Sequence, residues 1–280
     1  MYSIRIHVIL FVVFLGTALT SPIASPQIPN ITPQSTDTTA MAQAAALQAS
    51  QEAAVSPGSS SLINGLLASV FMAPAVNMKV SALTNILTLF EQGIAKTLGV
   101  DTTASSTTCA QMMVIFARGT TEPGNVGLFS GPPFFDALEA TMGAGAVSVQ
   151  GVEYSANIEG FLQGGDPAGS ATMARMIETT TQNCPNAKIV MSGYSQGGQL
   201  VHNAAAMLPV TTMAKVSSVV IFGDPNNGKP IANVDPANAI VICHGVDNIC
   251  DGGDLILVEH LTYSRDAGQA AEFAADRARA

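Results

Sequence analysis

Residues 187–208 read AKIVMSGYSQGGQLVHNAAAML, and this stretch decides the fold. An apolar run of strand length, Ile189 to Met191, leads into Gly193-Tyr194-Ser195-Gln196-Gly197, and a segment rich in Ala and Leu with helical character follows. A Gly-x-Ser-x-Gly between strand and helix reads as a nucleophile elbow, a turn so sharp that only very small side chains fit two residues to either side of the serine. Gly193 and Gly197 meet that demand. Such a turn lifts a hydroxyl above the carboxyl end of a sheet and aims the next backbone N–H, that of Gln196, at an incoming carbonyl oxygen. The pentad alone recurs by chance in chains with many glycines, so its weight comes from the strand and helix that flank it.

Outward from the elbow, strand and helix patterns alternate from Cys109 onward. Met112 to Ala117, Ala146 to Val152, Ile189 to Met191, Val216 to Phe222 and Ala239 to Cys243 read as strands. Pro132 to Met142, with proline in its first turn, Pro167 to Gln182, the segment after Ser195 and Gly268 to Arg279 read as helices. The expected fold class is α/β, a three-layer sandwich around a central, mostly parallel five-stranded sheet. In such sheets the active site lies at the carboxyl ends of the strands, where Ser195 falls.

A serine hydroxyl needs a base to take its proton as it attacks. Of the four histidines, His7 lies in a leader-like segment, and His202 lies two helical turns beyond Ser195, roughly 10 Å from its hydroxyl. His244 sits between two cysteines. His260 follows the apolar segment Leu255, Ile256, Leu257, Val258 and alone leaves ample room for an acid between serine and histidine, the order such folds use. Asp224, Asp235, Asp247, Asp251 and Asp254 are all candidates for that acid. A carboxylate inside a small disulfide loop would be held still, which favours Asp247 over Asp224. A second oxyanion donor belongs in the loop after the first strand, Arg118-Gly119-Thr120-Thr121-Glu122, where the N–H of Thr120 is placed for it and Arg118 anchors the loop through a carboxylate such as Glu122.

Four cysteines allow three pairings; Cys243 and Cys250, seven apart, can close a tight loop, which leaves Cys109 with Cys184. No Cys-x-x-Cys occurs and the histidines are scattered, so no metal site and no cofactor are expected. With 280 residues, a net charge of −9 and no basic cluster, nucleic acid is excluded as a partner. Charged residues make up only 11% and hydrophobic ones 48%, which suits one compact α/β domain working at a waxy or polymeric surface.

Residues 1–20 carry Arg5, the apolar run Val8 to Leu15 and then small residues, a secretory signal pattern with cleavage near residues 20–24 and no membrane span in the mature form. Residues 21–61 read as a flexible linker rich in Pro, Ser, Thr and Ala, with a glycosylation sequon at Asn30. Residues 62–108 form an extension in which Val80, Leu83, Leu87, Phe90, Ile94 and Leu98 recur at three and four residues, predicting an amphipathic helix of about five turns. It packs on the catalytic domain, caps the apolar site or binds a surface. Asp101 to Thr108 reads as a polar spacer before the domain at residues 109–280.

Taken together, Phe116-Ala117-Arg118-Gly119-Thr120-Thr121-Glu122, the elbow pentad, Cys243-x-x-x-Asp247-x-x-Cys250 and His260 ten residues later resemble fungal cutinases, serine esterases of the α/β-hydrolase class. The resemblance covers Cys109 to Arg279. It implies a triad of Ser195, Asp247 and His260, an oxyanion hole from Thr120 and Gln196, and disulfides Cys109–Cys184 and Cys243–Cys250. It also implies hydrolysis of cutin and short-chain esters without a large lid. Thr120 stands where some cutinases carry serine, a change that keeps both N–H and hydroxyl. The chain is expected to be a secreted monomer with an ester as its partner and the Leu255–Val258 run lining the acyl groove. An acetylxylan esterase and a non-catalytic secreted binding protein on the same fold are the competing expectations.

Overall fold

A computed structural model describes residues 78–82 and 85–280. The signal, the linker, Asn30 and the first part of the extension lie outside those residues. Five strands form one parallel sheet in the order β3-β2-β4-β5-β6: β2 Met112–Ala117, β3 Val147–Gly151, β4 Lys188–Tyr194, β5 Val216–Phe222 and β6 Ala239–Ile242. A small second sheet pairs β1, Met78–Lys79, antiparallel with β7, Leu255–Ile256.

Alternation along β2 shows why the sheet sits in the middle. Met112, Val114 and Phe116 pack into one core layer, while Met113, Ile115 and Ala117 pack into the other. A strand buried on both faces must be apolar throughout, as MMVIFA is. The first layer is closed by helices α2, Gly131–Met142, and α7, Ala267–Arg279, through Phe134, Leu138, Ala270, Ala271 and Ala274. The second is closed by α4, Pro167–Asn183, and α5, Gln196–Met207, through Met173, Ile177, Leu200, Val201 and Ala204. The start of α4 is set by Asp166, whose carboxylate accepts from Gly169 N, with Pro167 preorganising the first turn.

Two short helices, α3 at Ile158–Leu162 and α6 at Val210–Met213, escape the sequence pattern because neither is long enough to show a period. Strand β4 runs on to Tyr194, beyond the apolar run, because it must deliver the chain to the elbow.

The extension differs from expectation in two places. The helix α1 begins only at Asn85 and ends at Leu98, so it is shorter than the stripe that starts at Val80. Met78 and Lys79 pair with Ile256 and Leu255, Val80 N donates to Asp254 O at 2.7 Å, and Val80–Ala82 forms a separate 3-10 turn ahead of α1. Residues 101–108 are also more than a spacer. Ser105 bridges Gln150 antiparallel, Gly151 N donates to Ala104 O, and Asn125 and Val126 donate to Thr102 O. The segment covers the free edge of β3, which would otherwise expose unpaired backbone groups.

Candidate active site

The elbow has the geometry its sequence demands. Ser195 holds φ 55°, a left-handed value costly for a side chain with a Cβ, and its N–H is tied to Phe222 O at 2.9 Å. A Cβ on Gly193 would lie 2.3 Å from Gly197 O, and one on Gly197 would lie 2.0 Å from Ala117 O. Both positions therefore require glycine.

Ser195 Oγ stands 2.9 Å from His260 Nε2, and His260 Nδ1 stands 2.8 Å from Asp247 Oδ2. An ionised carboxylate only accepts, so Nδ1 carries the proton facing Asp247 and Nε2 is left to accept from the serine hydroxyl. Burial alone would raise the Asp247 carboxyl, but hydrogen bonds from His260, Tyr263 and Ile249 N bring it below its ordinary value. Asp247 sits between Cys243 and Cys250, which are joined by a disulfide; Cys109 and Cys184 form the second. The imidazole is seated by Tyr194, whose ring stacks on it at 5.1 Å and whose hydroxyl donates to His260 O at 2.7 Å. Gly223 makes room for it: with φ 56°, a Cβ there would lie 2.9 Å from the His260 ring.

The other two histidines among the described residues are committed elsewhere. His202 Nε2 bonds Asp224 Oδ2 at 2.9 Å, so two candidates from the sequence satisfy each other, with Asp224 buried and His202 partly so. His244 Nε2 bonds Asp266 Oδ2 at 2.8 Å, a contact that raises its pKa against the opposing effect of burial. Arg118 anchors the loop, but through backbone: Nε donates to Glu122 O and Nη2 to Tyr154 O. The Glu122 carboxylate instead gathers the N–H groups of Gly119, Leu128 and Phe129 and shapes the loop that carries Thr120.

Thr120 lines a cleft with Ser195, His260, Tyr194, Phe129, Glu122, Ile256 and Leu261, and α1 with its lead-in adds Glu91 and Val80. Gln196 opens α5, and its side chain donates to Thr120 Oγ1. Of the segment Leu255, Ile256, Leu257, Val258, only Ile256 lines this cleft. Leu255 and Ile256 form β7 against β1, and Val258 is exposed, so strand alternation turns part of the run away. The cleft's free volume is about 20 Å³, roughly one water, and Ser195 is 4% exposed.

The cutinase family model matches residues 108–278. The chain belongs to the cutinase family. Cutinase pbc1 of Pyrenopeziza brassicae is 77% identical over 203 residues, 72% of this chain and 100% of that protein. A Botryotinia fuckeliana cutinase is 58% identical over 165 residues, 59% of this chain and 82% of its own. The solved structure of Trichoderma reesei cutinase with a phosphonate inhibitor matches with a TM-score of 0.68 at 45% identity, over 71% of this chain and 90% of that one. An acetyl xylan esterase structure, 21% identical with a TM-score of 0.51, shares the fold alone.

Three residues that shape this cutinase-family site gave no signal in sequence. Glu91 reaches the cleft from α1 with 1% exposure, and its Oε2 has no hydrogen-bond partner among the described residues. Burial, reinforced by nearby Glu122, pushes its carboxyl well above the usual range. Burial also raises Glu122, against the N–H groups it accepts. Tyr263 and Gly223 act only through neighbours distant in sequence, and no spacing rule finds such contacts. Among the described residues no group of three or more His, Cys, Asp or Glu could hold a metal, and no helix is long and apolar enough to cross a membrane.

Proposed function

We propose that this carboxylic ester hydrolase of the cutinase family works by acyl transfer through Ser195, with His260 as base and Asp247 orienting it. The observation that carries the proposal is the unbroken hydrogen-bonded series Ser195 Oγ, His260 Nε2, His260 Nδ1, Asp247 Oδ2. Ser195 attacks the ester carbonyl while His260 takes its proton, and the oxyanion forms against the backbone N–H groups of Thr120 and Gln196. The alcohol leaves protonated by His260. Water activated by the same imidazole then releases the acid, and Asp247 stabilises the imidazolium in both steps. The substrates are cutin-type polyester and short-chain esters, processed outside the cell by a secreted monomer; paired cysteines and the signal pattern support export.

We also assign residues 78–82 and 85–98 as a cover over the site. Val80 and Glu91 line the cleft beside Ser195 and His260, where little free volume remains. Thr88 Oγ1 donates to Thr121 O at 2.8 Å, pinning α1 to the oxyanion loop.

The test is turnover of p-nitrophenyl butyrate, acetate and suspended cutin by the full chain and two variants. Ser195→Ala is expected to lose about a million-fold in kcat; activity within tenfold of the parent would remove Ser195 from the reaction. Thr88→Val is expected to raise kcat/KM for the soluble butyrate ester several-fold by loosening the cover. An unchanged value would return α1 to plain packing.

A further inference from the structure

Behind the pair His260–Asp247 lies a second hydrogen-bonded layer centred on Tyr263, a fully buried side chain. Its hydroxyl donates to Asp247 Oδ2 at 2.6 Å, the same oxygen that accepts from His260 Nδ1. The other carboxylate oxygen, Oδ1, accepts from Ile249 N at 3.0 Å. Tyr263 is itself held on both sides. Its ring stacks on His244 at 4.3 Å, and His244 N donates to its hydroxyl at 3.1 Å. His244 is fixed in turn by Asp266 through Nε2 and by Glu259 O through Nδ1.

We propose that Tyr263 is a positioning residue of this site: its hydroxyl fixes the rotation of Asp247 and tempers the carboxylate that orients His260. This rests on the Ser195–His260–Asp247 mechanism above.

Two physical consequences follow from a shared acceptor oxygen. With Oδ1 tied to backbone and Oδ2 to a rigid phenol, the carboxylate cannot swing away from the imidazole, so the tautomer needed at Nε2 is maintained between turnovers. A hydrogen bond to the charged form also withdraws electron density from Oδ2, which pulls less strongly on the Nδ1 proton. Burial and the bond to Asp247 both raise the Tyr263 phenol, so it stays protonated and donates throughout the working range. The other ionisable groups around His260 are Tyr194 stacked on it, Glu91 and Glu122 across the cleft, and His244 with Asp266 on the far side of the Tyr263 ring.

The deciding experiment measures kcat/KM for p-nitrophenyl butyrate against pH with the full chain and Tyr263→Phe, which keeps the ring and its stack on His244. The plateau is expected to fall about tenfold, and the acid limb to move up by about half a pH unit. A lower plateau with an unmoved acid limb would mean a purely structural role and overturn the proposal. Site-specific replacement of Tyr263 by 3-fluorotyrosine, a stronger donor of nearly the same size, carries the test if the phenylalanine variant does not fold. It is expected to move the acid limb to lower pH, and no movement overturns the proposal. The His260 Nδ1 proton resonance reads the same bond without turnover. It is expected to shift downfield in Tyr263→Phe and upfield with fluorotyrosine, and an unchanged resonance in both refutes the role. A parent chain with no esterase activity would instead count against the function proposed above, while the resonance would still decide the part of Tyr263.

Discussion

Gln196 Nε2 donates a 2.8 Å hydrogen bond to Thr120 Oγ1, so the two residues whose N–H groups are assigned to the oxyanion are tied together by their side chains. The same amide nitrogen donates to Asn157 O, at the N-cap of α3, at 2.9 Å. Gln196→Ala keeps the backbone donor but lets the Thr120 loop drift. The expected result is a kcat about tenfold to a hundredfold lower with KM nearly unchanged, because the lost interaction acts only on developing charge. Steady-state kinetics on a soluble ester checks this, and a rise in KM at constant kcat would contradict it.

Glu91 makes the stability of the fold sensitive to pH. Its folded-state pKa is raised by burial and by Glu122, so above the ordinary carboxylate value the folded protein binds more protons than the unfolded chain. Stability therefore falls as pH rises from that value toward the raised one, by at most about 1.4 kcal/mol per pH unit for one group. Glu91→Gln removes the charge that must be neutralised. Its Tm is expected to match the parent near the ordinary carboxylate pKa and to exceed it increasingly toward neutral pH. Parallel melting curves for both proteins would sink this account.

The two disulfides are expected to do different work. Cys109–Cys184 spans 75 residues and Cys243–Cys250 spans 7. By loop entropy they contribute roughly 4.5 and roughly 2.5 kcal/mol. The shorter one frames Asp247, whose Oδ1 accepts from Ile249 N within that loop. Replacing Cys109 and Cys184 by serine is expected to lower Tm more. Replacing Cys243 and Cys250 is expected to lower kcat more, by about tenfold or greater, because it frees the carboxylate that orients the imidazole. Equal losses of kcat in the two double variants, measured well below both melting points, would refute the division.

Much of this architecture was legible because its signals are local. The alternation of strand and helix from Met112 to Arg279 is carried by runs of apolar residues, and the elbow by two glycines at fixed offsets from Ser195. The choice between Asp224 and Asp247 was less local. Spacing allowed both; in the fold Asp224 is bonded to His202, while Asp247 faces His260. The start of α1 differs for a related reason: periodicity extends to Val80, yet Val80–Ala82 forms a 3-10 turn tied through Val80 N to Asp254 O.

By itself, the sequence determined the α/β class and the strand that leads into Ser195, because short-range sterics and apolar period act between neighbours in the chain. Only the tertiary structure decided what lines the cleft beside that serine and what stands behind its partners. Glu91 lies about a hundred positions before Ser195, and Tyr263 sixteen after Asp247. Their effects depend on burial and on the sharing of one carboxylate oxygen, which exist only once helix, loop and sheet have been brought together.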